Sequence, residues 1–155
     1  MKTEWWILLS VYTVATGVLF FMPKNRFRLA VVAFLFMQVI TFLTGLCVVE
    51  LGLIEYPVRS FASINRTSFD YEFYIFPVTC AVFNVWYPNH RRPLVQLGYY
   101  FVFSTVLTFG EVIIEKYTHL IIYIHWEWYI SWITIFISLF IVRLFCVWFF
   151  LKPRT

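Results

Sequence analysis

Five apolar runs, at 5–22, 29–54, 71–87, 94–114 and 128–150, take up most of this 155-residue chain. A helix needs roughly 17–25 apolar residues to cross the hydrocarbon core of a bilayer, and every run meets that length, the second with enough excess to tilt. Lipid offers no partner to a backbone N–H or C=O, so a chain crosses it as helices or as a closed barrel. Five strands do not make an outer-membrane barrel. The expected fold is therefore all-α, a polytopic transmembrane bundle of about five membrane-spanning helices. It forms one integral membrane domain over 1–155, with 115–127 as an interfacial or re-entrant segment. Pro77 lies inside the third run and is expected to kink it, turning Tyr74 and Asn84 inward, provided neighbours satisfy the carbonyl that proline frees.

Composition excludes the soluble alternatives. Hydrophobic residues make up 62% of the chain and charged residues 13%, about half the charged share of a soluble domain. A soluble core of this size could not hide 19 Phe, 10 Tyr and 7 Trp without large exposed apolar patches. Cys47, Cys80 and Cys146 lie far apart in apolar stretches, which reads as packing rather than a zinc cage. The first run has Glu4 beside Lys2 ahead of it and Met22-Pro23-Lys24 after it. That pattern suits an uncleaved span better than a signal peptide.

Charge assigns sides. Eight of the 12 basic residues fall on one side: Lys24, Arg26, Arg28, Arg91, Arg92, Arg143, Lys152 and Arg154. Lys2, Arg59, Arg66 and Lys116 fall on the other. The positive-inside rule then puts the N-terminus outside and the C-terminus inside. All eight acids, Glu4, Glu50, Glu55, Asp70, Glu72, Glu111, Glu115 and Glu127, fall on the outer half. Acids contribute little to topology, so this regularity is independent of the assignment.

Helical phase points to a candidate site. On the fourth run Ser104, Thr108, Glu111, Glu115 and His119 share about 80° of arc if the helix continues past the membrane. Leu97 and Phe101 are expected to continue that face inward, which would close it with apolar side chains. Glu127, Ser131, Thr134 and Ser138 share about 60° on the fifth run. Asp70, Tyr74, Pro77, Ala81 and Asn84 share a face of the third, and Ser10, Thr13 and Gly17 one of the first. If these faces converge, they form a polar funnel open to the outside. Its candidate residues are Glu111, Glu115, His119, His125 and Glu127, with Glu50 at the outer interface. No cofactor is predicted. A divalent cation held by Glu111, Glu115 and His119 is the one metal that this donor set suits. Ser, Thr and Gly at helical spacing also serve helix packing, as Gln38, Thr41, Gly45 and Gly52 are expected to do on the second run.

Arg143 sits roughly 11 Å from the inner end of its run by helical rise, within reach of the inner headgroups, and is the candidate lipid contact on that side. Trp5, Trp6, Trp86, Tyr87, Tyr123, Trp126, Trp128, Tyr129, Trp132 and Trp148 read as interfacial belts. Asn65-Arg66-Thr67 matches a glycosylation sequon, a cheap match. No phosphate-binding, dinucleotide, zinc-protease or nucleophile-elbow motif is present, and the split basic residues exclude a nucleic-acid patch.

The stretches EVIIEKYTHLIIYIHWEWYISW (111–132) and FPVTCAVFNVWYP (76–88) resemble a family of small, uncharacterised multi-span membrane proteins of spore-forming Gram-positive bacteria. The resemblance implies a bacterial cell membrane and carries no activity. Three function classes follow. The leading one is a non-enzymatic multi-pass membrane protein of unknown role. The second is transport or sensing of a cation or proton through the outer acidic funnel. The third is an intramembrane enzyme acting on lipid, with Glu111 or Glu115 as base and His119 as acid. The expected partner is the lipid bilayer, then a membrane protein or a second copy of the chain.

Overall fold

The computed structural model describes residues 2–151, with side chains from Glu4 to Phe150. Lys152 and Arg154, placed on the inner side above, lie outside the described residues, as does the side chain of Lys2. The described residues form five α-helices: α1 (Lys2–Phe20), α2 (Phe27–Glu50), α3 (Phe76–Val85), α4 (Pro93–Tyr117) and α5 (Trp128–Leu151). A π-helix, Phe69–Ile75, runs directly into α3. Two short strands, β1 (Ile54–Glu55) and β2 (Ile122–Tyr123), complete the set. Three stretches are long and apolar enough to cross a membrane: Lys24–Glu50, Pro93–Tyr117 and Trp128–Phe150. Glu4–Phe20 is a shorter apolar helix.

Helix ends follow local chemistry. Pro23 biases Met22 away from helical backbone and separates α1 from α2. α2 stops four residues short of its apolar run because Gly52 takes a left-handed φ of +67°. The Gly52 N–H donates to the Val49 carbonyl and the Leu53 N–H to that of Val48, both at 3.0 Å. This is a Schellman cap, which needs glycine at that position. Gly52 is thus a helix stop rather than a member of the α2 packing face. α4 begins with Pro93 in its first turn, where the missing N–H has no helical partner to lose. It ends where Thr118 turns extended and donates its hydroxyl to the Ile114 carbonyl at 2.6 Å.

The outward faces are apolar. Leu35, Val39 and Leu43 on α2, Val102, Val106 and Phe109 on α4, and Ile133, Ile137 and Leu144 on α5 are all exposed. Exposed large apolar side chains at helical spacing suit lipid rather than water. Inside, α2 packs on α3 and α5, and α4 pairs with α5. Ala33, Met37, Cys80, Phe83, Leu139, Val142 and Cys146 form the core below the middle of the bundle. A second cluster, Leu8, Ile54, Tyr56, Leu120 and Ile121, sits at the acid-bearing end.

Pro77 shapes the third segment. Its ring nitrogen cannot bond the carbonyls of Phe73 or Glu72, four and five residues back. α2 supplies side-chain donors to both carbonyls. Gln38 Nε2 donates to the Phe73 carbonyl at 2.8 Å and the Thr41 hydroxyl to that of Glu72 at 2.5 Å. The chain answers the proline with the wider π winding, capped by Ser68, whose Oγ accepts from the Tyr71 N–H at 3.2 Å. Asn84 is fully buried, as expected, while Tyr74 turns to α1 and stacks on Tyr12 at 4.7 Å.

Candidate functional site

The polar groups come together between α2, the π-helix, α4 and α5, in a cavity of about 100 Å³. That is room for several water molecules. Glu72 and Glu111 both line it, with Tyr56, Tyr71, Trp126 and Ser131, and no Lys, Arg or His among its walls.

Glu111 reaches the cavity on the buried face of α4 and is 6% exposed. Its Oε1 accepts from the Tyr123 hydroxyl at 2.5 Å and from Ser131 Oγ at 2.6 Å. Ser131 in turn accepts from Trp126 Nε1 at 2.7 Å. Tyr123 is in place because β2 pairs antiparallel with β1, Ile54 opposite Tyr123 and Glu55 opposite Ile122. The segment 115–127, expected as an interfacial or re-entrant stretch, is thus helical to Tyr117 and then folds over the bundle as half of a two-stranded roof.

Glu72 is 5% exposed, and no hydrogen bond reaches its Oε2. Its carboxyl lies against Gly45 of α2, where a Cβ would fall 2.0 Å from Oε2. Only glycine leaves that space. Gln38, Thr41 and Gly45 of α2 therefore meet the π-helix at the Phe73 carbonyl, the Glu72 carbonyl and the Glu72 carboxyl. Tyr56, in the roof, is held far above the usual phenol range. Burial is the main cause, and the charges of Glu72 and then Glu111 add to it. Burial, with Glu111 next, likewise raises Tyr123.

The stripe expected on α4 divides. Ser104, Thr108 and Glu111 are buried, Glu115 is half-buried and His119 is exposed, because the helix has ended before it. Glu127 and His125 are exposed as well. Glu50 lies at the surface, 3.8 Å from Arg66 in an exposed pair of the kind that contributes under about 1 kcal/mol. Among the described residues no three His, Cys, Asp or Glu side chains gather as metal ligands, so Glu111, Glu115 and His119 do not form a shared cation site. Ser10 and Thr13 of α1 are exposed and bond their own helix carbonyls, at 2.8 Å each, so α1 does not line the cavity. It is held instead by Tyr12, which donates to the buried Asp70 at 2.9 Å, and by a Thr16–Tyr74 hydroxyl contact at 2.6 Å. Asp70 also accepts from the Ser60 N–H and hydroxyl, at 2.9 and 2.7 Å.

The inner end of the α4 face differs from expectation too. Leu97 and Phe101 are exposed, each 47%. The buried residues of α4 are Tyr100, Ser104, Thr108 and Glu111, and the Tyr100 ring packs in the aromatic core against Phe83 and Phe136. Arg143 is half-buried. Its guanidinium stands 4.3 Å from the Tyr87 ring centroid and donates to Asn84 Oδ1 at 3.5 Å and to Asn89 Oδ1.

Glu72, Tyr56, Tyr71, Tyr123 and Trp126 are the site residues that sequence reading did not select. Tyr123 and Trp126 read as belt aromatics by position alone. Glu72 had a signal: Gln38, Thr41 and Gly45 share a face of α2, and Pro77 frees the carbonyls that such a face can serve. Compared with protein-family models, with characterised proteins and with solved structures, the chain matches none.

Proposed function

We propose that this protein is a non-enzymatic, multi-pass protein of a bacterial cell membrane that takes up a proton or a small cation at the Glu72–Glu111 cavity. In this reading α1 and the π-helix with α3 cross beside the three long helices, making five crossings. The N-terminus is outside and the cavity lies in the outer half. The observation that carries the proposal is Glu72: a buried carboxyl with an unbonded oxygen, sharing a small cavity with a second buried carboxyl and no basic residue. Burial and mutual repulsion disfavour charge on both carboxyls at once, even with two hydroxyls donating to Glu111. A proton or a bound cation relieves both. The sidedness of the basic residues supports the orientation, and the family resemblance supports the bacterial membrane.

Infrared difference spectra of the purified protein test this directly. Between acid and alkaline buffer the wild type is expected to show a protonated-carboxyl stretch that shrinks in both Glu72→Gln and Glu111→Gln. A cation that binds at the cavity should remove the same band at constant pH. A band untouched by both substitutions would overturn the proposal.

A further inference from the structure

The Glu72–Glu111 cavity is covered at the acid-bearing end and open to one side. Ile54 and Tyr56 of the roof, both buried, cover it together with Trp126. Among the described residues that line it, only Thr44 of α2 and Thr134 of α5 are exposed. Thr44 lies six residues from the end of α2 at Glu50, and Thr134 six from the start of α5 at Trp128, about 9 Å along the axis in each case. Their neighbours Leu43, Ile133 and Ile137 are exposed and apolar. Deeper in the bundle the same two helices close on each other, with Phe36 stacked on Phe145 at 3.8 Å. The opening therefore lies between α2 and α5, at one depth on both, on a face that suits lipid. The polar lining is rich in acceptors. Thr44 gives its hydroxyl hydrogen to the carbonyls of Ile40 and Thr41, and Thr134 to those of Ile130 and Ser131. Ser131 donates to Glu111 and Trp126 Nε1 to Ser131. Hydroxyl oxygens so engaged are left to accept.

We propose that this cavity binds the ammonium head of a lipophilic amine, an alkyl chain that ends in –NH3+ and carries no phosphate, which enters from the lipid between Thr44 and Thr134. This rests on the reading of the Glu72–Glu111 cavity as a cation site. An ammonium group has three donors and no acceptor, the complement of the lining. Glu72 brings an oxygen with no hydrogen-bond partner. Both bonds to Glu111 fall on Oε1, which leaves Oε2 for a ligand. Tyr71 and Phe76 form a corner of the wall, ring centroids 5.3 Å apart and planes at 67°, and aromatic faces attract organic cations. Among the described residues no third His, Cys, Asp or Glu joins the two carboxyls to make a metal cage. Size points to a chain that extends outside. A dry cavity of about 150 Å³ holds a benzene ring, so one of about 100 Å³ admits the ammonium and its first carbons, and the rest of the chain lies in the opening. A phosphate beside the ammonium would face two carboxyls with no Lys, Arg or His in the wall to pair with it, a burial that goes uncompensated.

The full-length protein in uncharged maltoside micelles is titrated with decylammonium, at an acidity that keeps the protonated-carboxyl band and the amine fully charged. The melting temperature is expected to rise, and the band to shrink as the ammonium displaces the proton. Decanol, with the same chain and no charge, should do neither. Glu72→Gln should weaken decylammonium binding by about 10-fold or more, as loss of one partner of a buried charge pair does. Thr44→Phe and Thr134→Phe narrow the opening from its two sides at exposed positions. Each variant that keeps the wild-type melt without ligand should bind decylammonium about 10-fold more weakly. An equal response to methylammonium would mean a ligand taken from water, to phosphatidylethanolamine a zwitterionic lipid, and to sodium an inorganic ion, and any of the three would overturn the proposal. So would wild-type affinity in a folded Phe variant, or no response to decylammonium. A protein that shows no carboxyl band before ligand is added would overturn the carboxyl reading instead, so the two failures are distinguishable.

Discussion

At position 45 a hydrogen atom decides where a carboxyl lies. A methyl group there would overlap the Glu72 carboxyl, which is the movable end of a side chain, so the cheapest response is for Glu72 to swing away from α2. Gly45→Ala is therefore expected to destabilise by about 1–3 kcal/mol, as overpacking does, and to shift the Glu72 infrared signal. In a Glu72→Ala background the same substitution should cost far less, because the group it strikes is gone. The coupling measured by that double-mutant cycle is the readout, and a cost unchanged by loss of Glu72 would show that Gly45 serves helix approach alone. Sequence pattern places Gly45 on a packing face and goes no further. The glycine is needed for a residue 27 positions downstream, and no periodicity within one helix reports such a pairing.

Among the elements, the π-helix with α3 is the one whose form depends most on a neighbour. The proline removes a donor from one helix, and Gln38 and Thr41 donate to the neighbouring carbonyls from another. Gln38→Leu or Thr41→Val would leave a carbonyl without a donor in a water-poor interior, at a cost of about 1–3 kcal/mol. Pro77→Ala restores a backbone N–H to the π-helix junction, so Gln38→Leu should cost less when combined with it. Denaturant or thermal melts of the four proteins in one detergent test this, and strict additivity would remove the link. The apolar runs were legible as helices because lipid leaves the backbone no other choice. The strand pair of the roof was not legible, since Ile54-Glu55 and Ile122-Tyr123 have no period and meet only through the fold. The run of helical phase from Glu115 to His119 misled for a related reason: phase assumes a continuous helix, and Thr118 ends it.

Across the whole molecule, charge and polarity run along the bundle axis in opposite senses. The cavity, its two carboxyls and the tyrosine-lined roof lie at the end that carries the acids. Arg143, Asn84, Asn89 and the Arg91–Arg92 turn lie at the other, where α3 passes to α4. At that end the Arg143 guanidinium meets the Tyr87 ring and two asparagines. If the bundle crosses the membrane along this axis with the basic end inside, the 88–93 turn faces the cytoplasm and the 56–68 loop faces out. Both Asn89 and Ser63 are exposed, so each accepts a reporter cysteine at the surface, at Asn89 with loss of one contact to Arg143. In a background free of Cys47, Cys80 and Cys146, a cysteine at Ser63 is expected to react with a membrane-impermeant thiol reagent on intact cells, and one at Asn89 only after permeabilisation. The reverse pattern would invert the protein and put the carboxyl cavity inside. Labelling of both from outside would mean that the π-helix with α3 fails to cross.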